Sequence, residues 1–315
     1  MKFLPFPALG RDVSQLVLGS MVFSMDDLGL TFDLLNEYLD LGGNLVDTAH
    51  IYGGGNSERA LGRWIAATGR RDEIFILTKG AHHNVDRRRV TAEDITCDLR
   101  DSLARLGTDY VDLYVLHRDD PLQPVGGIIE ALNSHIAAGR ILAIGASNWS
   151  IPRIEAANAY AADRGLKGFC LSSNHLSLAA PKEPVWLGCV DVRDAASRAW
   201  HAKTQFPLMP WSSQARGFFS GLFSPEVTDN DLMVRVYYSQ ANWARLDRAR
   251  EIGLRRGFQP IEVALAWVLH QPFPCFPLIG PRTVEELHSC VRALDLSITP
   301  AEAAWLDTGE TPATP

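Results

Sequence analysis

Four residues that together could make an acid–base device are spaced along the chain: Asp47 and Tyr52 within Asn-Leu-Val-Asp-Thr-Ala-His-Ile-Tyr-Gly, then Lys79, then His117. A free phenol has a pKa near ~10 and is a poor acid at neutral pH. An ammonium within a few Å favours the phenolate and lowers that pKa, and a carboxylate can keep the ammonium charged and oriented. A tyrosine so placed can exchange a proton near working pH, and a neighbouring histidine can hydrogen-bond and orient a carbonyl oxygen. Taken singly, Asp47 could cap a turn and Tyr52 could be a packed aromatic. Their recurrence at one structural position argues for the device. Asp47, Lys79, His117 and the pair Ser147-Asn148 each close a β-like run, and Tyr52 lies in the loop after Asp47.

The elements that must position them alternate along the chain. Short β-branched or apolar runs occupy residues 16–18, 44–47, 75–78, 111–116, 141–146, 169–171, 208–210 and 275–278. Helical patterns occupy 31–41, 58–68, 92–106, 126–138, 152–161, 193–203, 243–256 and 284–294. Alternation of this kind requires parallel strands joined by crossover helices. Runs such as Val-Asp-Leu-Tyr-Val-Leu lack polar alternation, as expected of strands covered on both faces. Eight units with no separating linker predict a single (β/α)8 barrel domain over 1–315, whose C-terminal strand ends converge on one mouth. An open doubly wound sheet would want a Gly-x-Gly-x-x-Gly turn, and the chain has none. Thr91 and the acids after it read as a helix start, and Gly139 and Gly257 as helix stops. Residues 174–192 and 218–240 read as long irregular loops of the kind that serve binding.

Bulk properties narrow the partners. The formal net charge is −7, and the one basic run, Arg87-Arg88-Arg89, lies in a polar loop, so no nucleic-acid footprint is expected. No stretch approaches the ~20 apolar residues of a membrane span, and the N-terminus has no secretory signal pattern. Five scattered cysteines without a Cys-x-x-Cys pair predict reduced thiols and a cytoplasmic setting. No His-x-x-x-His occurs, so no metal site is expected. His117-Arg118-Asp119 has the look of a kinase catalytic loop, but the required Asn position is Pro124, and the kinase glycine loop is missing. Every tyrosine fails the Tyr-x-x-x-Lys spacing of short-chain dehydrogenases.

The segment Asp47-Thr48-Ala49-His50-Ile51-Tyr52-Gly53, extended through Gly54-Gly55-Asn56-Ser57-Glu58 and followed by Lys79 and His117, resembles the aldo-keto reductases over nearly the whole chain. The resemblance implies carbonyl reduction by hydride transfer, with Tyr52 as general acid/base, Lys79 and Asp47 tuning it, and His117 orienting the substrate. It implies NADP(H) as cofactor, with NAD(H) the alternative. Gly19-Ser20-Met21, Asp47, Ser147-Asn148 and Ser173 (a Gln in the family) would lie near the nicotinamide. Trp211, usually a Tyr, would stack on it; Ser212, Gln214, Arg216 and Gly217 would face the pyrophosphate. Gly280, Arg282 and Glu286 would meet the adenosine end, Arg282 through a 2′-phosphate. Glu286 and Cys290 replace a usual Gln and Asn.

For the substrate, the rim residues Phe23, His82, Arg118, Asp119 and Trp149 suggest a small carbonyl compound, sugar-like or polyol-like because carboxylates and a guanidinium can bind hydroxyls. The plainer alternative has Asp119 and Asp120 capping the next loop. A second functional class is a cofactor-binding, redox-sensing regulatory subunit with little turnover. The sequence does not indicate an oligomeric state.

Overall fold

The first structured segment of the computed structural model, which describes residues 1–310, is a hairpin that the periodicity did not announce. β1 (Phe3–Phe6) pairs antiparallel with β2 (Arg11–Ser14) across a one-turn 3-10 helix that ends at Gly10, with φ 65°. Each strand is only four residues long, too short for alternation to stand out.

The chain then divides into two compact units. The first comprises Met1–Ser173 with Gly280–Val284, and the second Asn174–Ile279 with the described residues from Glu285 to Glu310.

In the first unit, β3 (Val17–Gly19), β4 (Leu45–Asp47), β5 (Phe75–Gly80), β6 (Val111–Leu116), β7 (Ile141–Ala146) and β8 (Phe169–Ser172) follow one another in space as in sequence. Every pairing is parallel. Between them run α1 (Leu28–Asp40), α2 (Asn56–Thr68), α3 (Ala92–Leu106), α4 (Val125–Ala137) and α5 (Ile151–Asp163). All six residues of β5 and all six of β6 are buried, which accounts for their unbroken apolar reading.

Register matters more than length for the site. Gly19 pairs with Asp47, Asp47 with Leu77, Lys79 with Val115, Leu116 with Ala146, and Ala146 with Ser172. The ladder also runs one residue beyond the strands. Ser20 N–H bonds Asp47 O at 2.9 Å, and Thr48, His117, Ser147 and Ser173 N–H each bond a neighbouring strand at 2.8 Å. Residues just past a strand end are therefore held as firmly as those inside it.

In the second unit the two remaining expected strands are thin. Leu208 and Cys275 form a parallel bridge, with Leu208 N–H on Pro274 O at 2.9 Å and Leu278 N–H on Pro210 O at 3.0 Å, before β9 (Leu278–Ile279). Pro207, Pro210, Pro272, Pro274 and Pro277 interrupt these segments, and a residue without an N–H cannot extend a ladder. The helices here are α6 (Ala195–Thr204), α7 (Asp231–Val236), α8 (Gln240–Arg256), α9 (Pro260–Leu269), α10 (Val284–Arg292) and α11 (Pro300–Thr308). α7 falls within the stretch expected to be irregular. α9 is apolar nearly all round and almost wholly buried, so its sequence carries no amphipathic period. Its residues join the core of this unit, around Phe218, Tyr237 and Leu246.

The helix ends follow the expected chemistry. Thr91 accepts from Asp94 N–H at the start of α3, and Gly139 and Gly257 adopt φ 71° and 77° at the stops. α8 begins three residues earlier than its apolar pattern, where Ser239 Oγ accepts from Asn242 N–H. Among the described residues all five cysteines are free, and no helix is long and apolar enough to cross a membrane.

Candidate active site

Parallel strands in a common register bring Asp47, Lys79 and His117 to one edge of the first unit, and the loop after β4 returns Tyr52 to the same place. His50 N–H bonds Lys79 O at 2.8 Å, so that loop leaves along β5 before turning. The turn itself uses Gly53, Gly54 and Gly55 at φ 55°, 63° and 90°, a left-handed run that side-chain-bearing residues resist. Lys79 Nζ lies 3.1 Å from the Tyr52 hydroxyl and 3.0 Å from Thr48 O, and forms an ion pair with Asp47. Lys79 and Asp47 are each 2% exposed, while Tyr52 is half-buried. His117 is buried with its ring edge-on to Tyr52, centroids 5.8 Å apart.

The electrostatic balance differs from the sequence expectation in one respect. Burial is the largest influence on Tyr52, and it holds the phenol above its ordinary value; the pull of Lys79 opposes this and does not overcome it. Burial also acts against the Lys79 charge, but Asp47 and Tyr52 outweigh it and keep the ammonium above its usual range. Burial lifts the Asp47 carboxyl against the opposing pull of Lys79. For His117, burial and then the Lys79 charge push the imidazole well below its ordinary value, so the ring is neutral at neutral pH. The arrangement is a neutral phenol and a neutral imidazole beside a fixed ammonium. A neutral phenol can donate a proton, and the ammonium stabilises the phenolate left behind.

The other expected residues of the first unit fall into three groups. Ser147 Oγ donates to Ser173 O at 2.6 Å, and Asn148, at φ 59°, donates to His117 O at 3.2 Å. Ser20 Oγ, Ser173 Oγ and His117 Nδ1 are buried with no hydrogen-bond partner among the described residues. Buried polar atoms are normally paired, so these suit a polar group brought in from outside the chain. Gly19 is partly buried, Met21 is 60% exposed, and Gly280 and Arg282 are exposed.

At the rim, His82 lies edge-on to His117 at 4.9 Å and against His83 at 4.3 Å; burial pushes His82 down to about 4. Phe23 is buried. Asp119 and Trp149 are occupied otherwise. Arg153 grips Asp119 with two bonds of 2.9 and 3.0 Å and lies over the Trp149 ring at 4.9 Å. The Trp149 indole, wholly buried, donates to Arg118 O at 3.1 Å. Asp120 accepts from Leu122 N–H at 3.2 Å, the loop-capping alternative raised by the sequence. Among the described residues no group of three His, Cys, Asp or Glu could hold a metal.

The second unit carries its own candidates. Trp211 stands edge-on to His175 at 4.8 Å and tilted to Trp186 at 5.6 Å, with its indole N–H buried and without a partner among the described residues. Ser212, Ala215 and Arg216 have φ of 50°, 49° and 54°, followed by Gly217 at 88°. Three non-glycine residues in the left-handed region within one short turn mark a strained segment of the sort kept for binding. Ser213 Oγ bonds Leu278 O at 2.7 Å, and Gln214 accepts from the Cys290 thiol at 3.4 Å. Glu286 is half-buried in the first turn of α10.

A network that sequence reasoning missed lies behind Trp211. His175 Nδ1 is 2.5 Å from Asp191 and its Nε2 is 3.1 Å from the Tyr237 hydroxyl. Separations of 16 and 62 residues left no spacing signal.

The Aldo/keto reductase family model matches residues 15–309. A norsolorinic acid reductase of Emericella nidulans is 31% identical over 320 residues, covering 94% of this chain and 78% of that one. An aryl-alcohol dehydrogenase (NADP+) of Phanerodontia chrysosporium is 26% identical over 328 residues, covering 96% and 83%. Among solved structures, a thermostable aldo-keto reductase in complex with the inhibitor epalrestat is similar with a TM-score of 0.73 at 22% identity, over 98% of this chain and 99% of that one. That likeness establishes the fold, the (β/α)8 class expected from the alternating elements.

Proposed function

This chain belongs to the aldo/keto reductase family, and we propose that it reduces a small carbonyl compound, or oxidises the matching alcohol, with Tyr52 as the proton-exchanging group. The observation that carries this reading is the 3.1 Å bond between Lys79 Nζ and the Tyr52 hydroxyl, with Asp47 paired to the same ammonium. A bound nicotinamide supplies the hydride. Tyr52 protonates the carbonyl oxygen as charge develops on it, and Lys79 stabilises the resulting phenolate. Asp47 keeps Lys79 charged despite its burial. His117, neutral, donates a hydrogen bond that fixes the carbonyl oxygen beside the phenol. The unpartnered Ser20 and Ser173 hydroxyls, with Ser147 and Asn148, are the first unit's candidates for holding the carboxamide end of the cofactor. In the second unit Trp211 and the strained turn through Ser212, Gln214, Arg216 and Gly217 are candidates in their own right. We take NADP(H) as the cofactor, with Arg282 meeting the 2′-phosphate. The relative from Phanerodontia chrysosporium, named for NADP+, supports that choice.

For the substrate we favour an aromatic aldehyde or ketone over the sugar-like compound first suggested by the sequence. Asp119 and Asp120 are already bound by Arg153 and by the loop backbone, whereas the Tyr52, His117, His82 and His83 rings make a continuous aromatic rim. The names of the norsolorinic acid and aryl-alcohol relatives point the same way. The test is NADPH and NADH oxidation against benzaldehydes, aryl ketones and aldoses. Turnover expected with NADPH and aryl carbonyls supports the reading; turnover with aldoses alone overturns the substrate class, and none with any carbonyl or alcohol overturns the activity.

A further inference from the structure

Tyr52 sits on a turn held from within by backbone bonds alone, Tyr52 N–H to Ala49 O at 3.0 Å and Gly54 N–H to Ile51 O at 3.1 Å. Three consecutive glycines give it no side chains with which to pack, and glycine retains the greatest backbone freedom. Side-chain support for the phenol therefore comes from neighbours. Arg105, near the end of α3, donates to His50 O at 2.8 Å, gripping the chain two residues before Tyr52. Its guanidinium occupies the space beside Gly55, where a Cβ would come within 2.6 Å of Cζ. Gly62 opens the same approach from α2, since a Cβ there would lie 2.4 Å from Arg105 O. The guanidinium is paired with Glu58 at 3.1 Å, and Glu58 is wholly buried. The other Glu58 oxygen accepts from Thr78 Oγ1 at 2.7 Å, and Thr78 immediately precedes Lys79 on β5.

One carboxylate thus ties together the strand that carries Lys79, the helix that follows the Tyr52 turn, and the arginine that grips the residues before it. A buried ion pair is weak evidence of stabilisation, because desolvation offsets most of its attraction. What it does supply is a fixed geometry, provided both charges are satisfied.

We propose that Glu58 and Arg105 are positioning residues, an ion pair that holds the Tyr52 turn so that the phenol stays in hydrogen-bonding reach of Lys79. The proposal rests on the reading of Tyr52 as the proton donor. Glu58→Gln keeps an oxygen for Thr78 but removes the charge that orients Arg105; Arg105→Lys keeps the charge but loses the fork. A displacement of ~1 Å at a reacting group costs about 100-fold in rate, so kcat should fall by about 10- to 100-fold in Glu58→Gln. Arg105→Lys should lose less than Arg105→Met.

The measurements are kcat and KM for 4-nitrobenzaldehyde at saturating NADPH, NADPH affinity by tryptophan fluorescence, and the pH profile of kcat/KM. NADPH affinity should stay within about twofold. The alkaline limb of the profile should move to higher pH, because a phenol farther from Lys79 is harder to ionise. Charged and titratable groups that face the phenol are Lys79, Asp47, Arg118 and His117, none of them altered. Circular dichroism reports folding, and if Glu58→Gln does not fold, Arg105→Lys decides alone. Unchanged kcat in the folded variants, or a loss with an unmoved alkaline limb, overturns the clamp. Tyr52→Phe, run in parallel, separates the two readings: full activity there removes the role of Tyr52 itself, whatever Glu58 does.

Discussion

Each unit of this chain sets a carboxylate, a nitrogen base and a phenol in a row: Asp47, Lys79 and Tyr52 in the first, Asp191, His175 and Tyr237 in the second. The parts are alike and the settings differ. In the first row the base is an ammonium with no neutral option near pH 7, and the phenol is half-buried at the edge where the strands end. In the second the base is an imidazole, and Tyr237 is wholly buried, its hydroxyl spent on His175 and burial holding it far above its ordinary value. A fixed charge beside a phenol with an accessible edge suits proton transfer. An imidazole between a carboxylate and a closed phenol suits holding a shape, here the face against which Trp211 rests.

The largest expected contrast comes from removing each phenol hydroxyl. Tyr52→Phe should lower carbonyl turnover by roughly 100- to 10,000-fold, the usual worth of a general acid. Tyr237→Phe should leave turnover within about twofold and cost about 1 kcal/mol of stability, measured by urea unfolding. Comparable losses of turnover in both would erase the distinction.

Next come the bases. Lys79→Met leaves Asp47 buried beside nothing positive, a defect of about 3–5 kcal/mol. His175→Gln should cost about 1–2 kcal/mol, because Asp191, its side chain 30% exposed, can turn to water. Chemical denaturation of the two variants ranks them, and the reverse order would mean that the second row carries the buried charge.

The most gradual effect is a slope in pH. His82 and His117 have folded-state values pushed down by burial, His82 to about 4. The unfolded chain therefore binds more protons than the folded one between about pH 6.5 and pH 4. Stability is fully present above that window and is lost as pH falls through it. Thermal melts at stepped pH should show this decline, and His82→Gln should make it shallower. A melting temperature that rises on acidification through the window would contradict the neutral imidazole rim.

Much of the first row was legible because it needs little beyond strand order. A parallel register turns Asp47, Lys79 and His117, each closing an apolar run, into neighbours. The phenol's net direction was not legible, since Lys79 can be read from the chain while the depth of burial around Tyr52 cannot. Asp119 looked available for a substrate because its partner, Arg153, lies 34 residues on. The last two strands were foreseen in place but not in thinness, which depends on where the prolines fall within the pairing. α9 was hidden for the opposite reason: a helix buried on every side has no face to show.

The three glycines after Tyr52 bear on how such a site could be retuned. A turn without side chains offers nothing of its own to mutate, so adjustments to the aim of the phenol would have to be written into α2 and α3. Two copies of this scaffold could then share an identical reactive centre and still differ in rate, with the cause lying on helices that never meet the substrate.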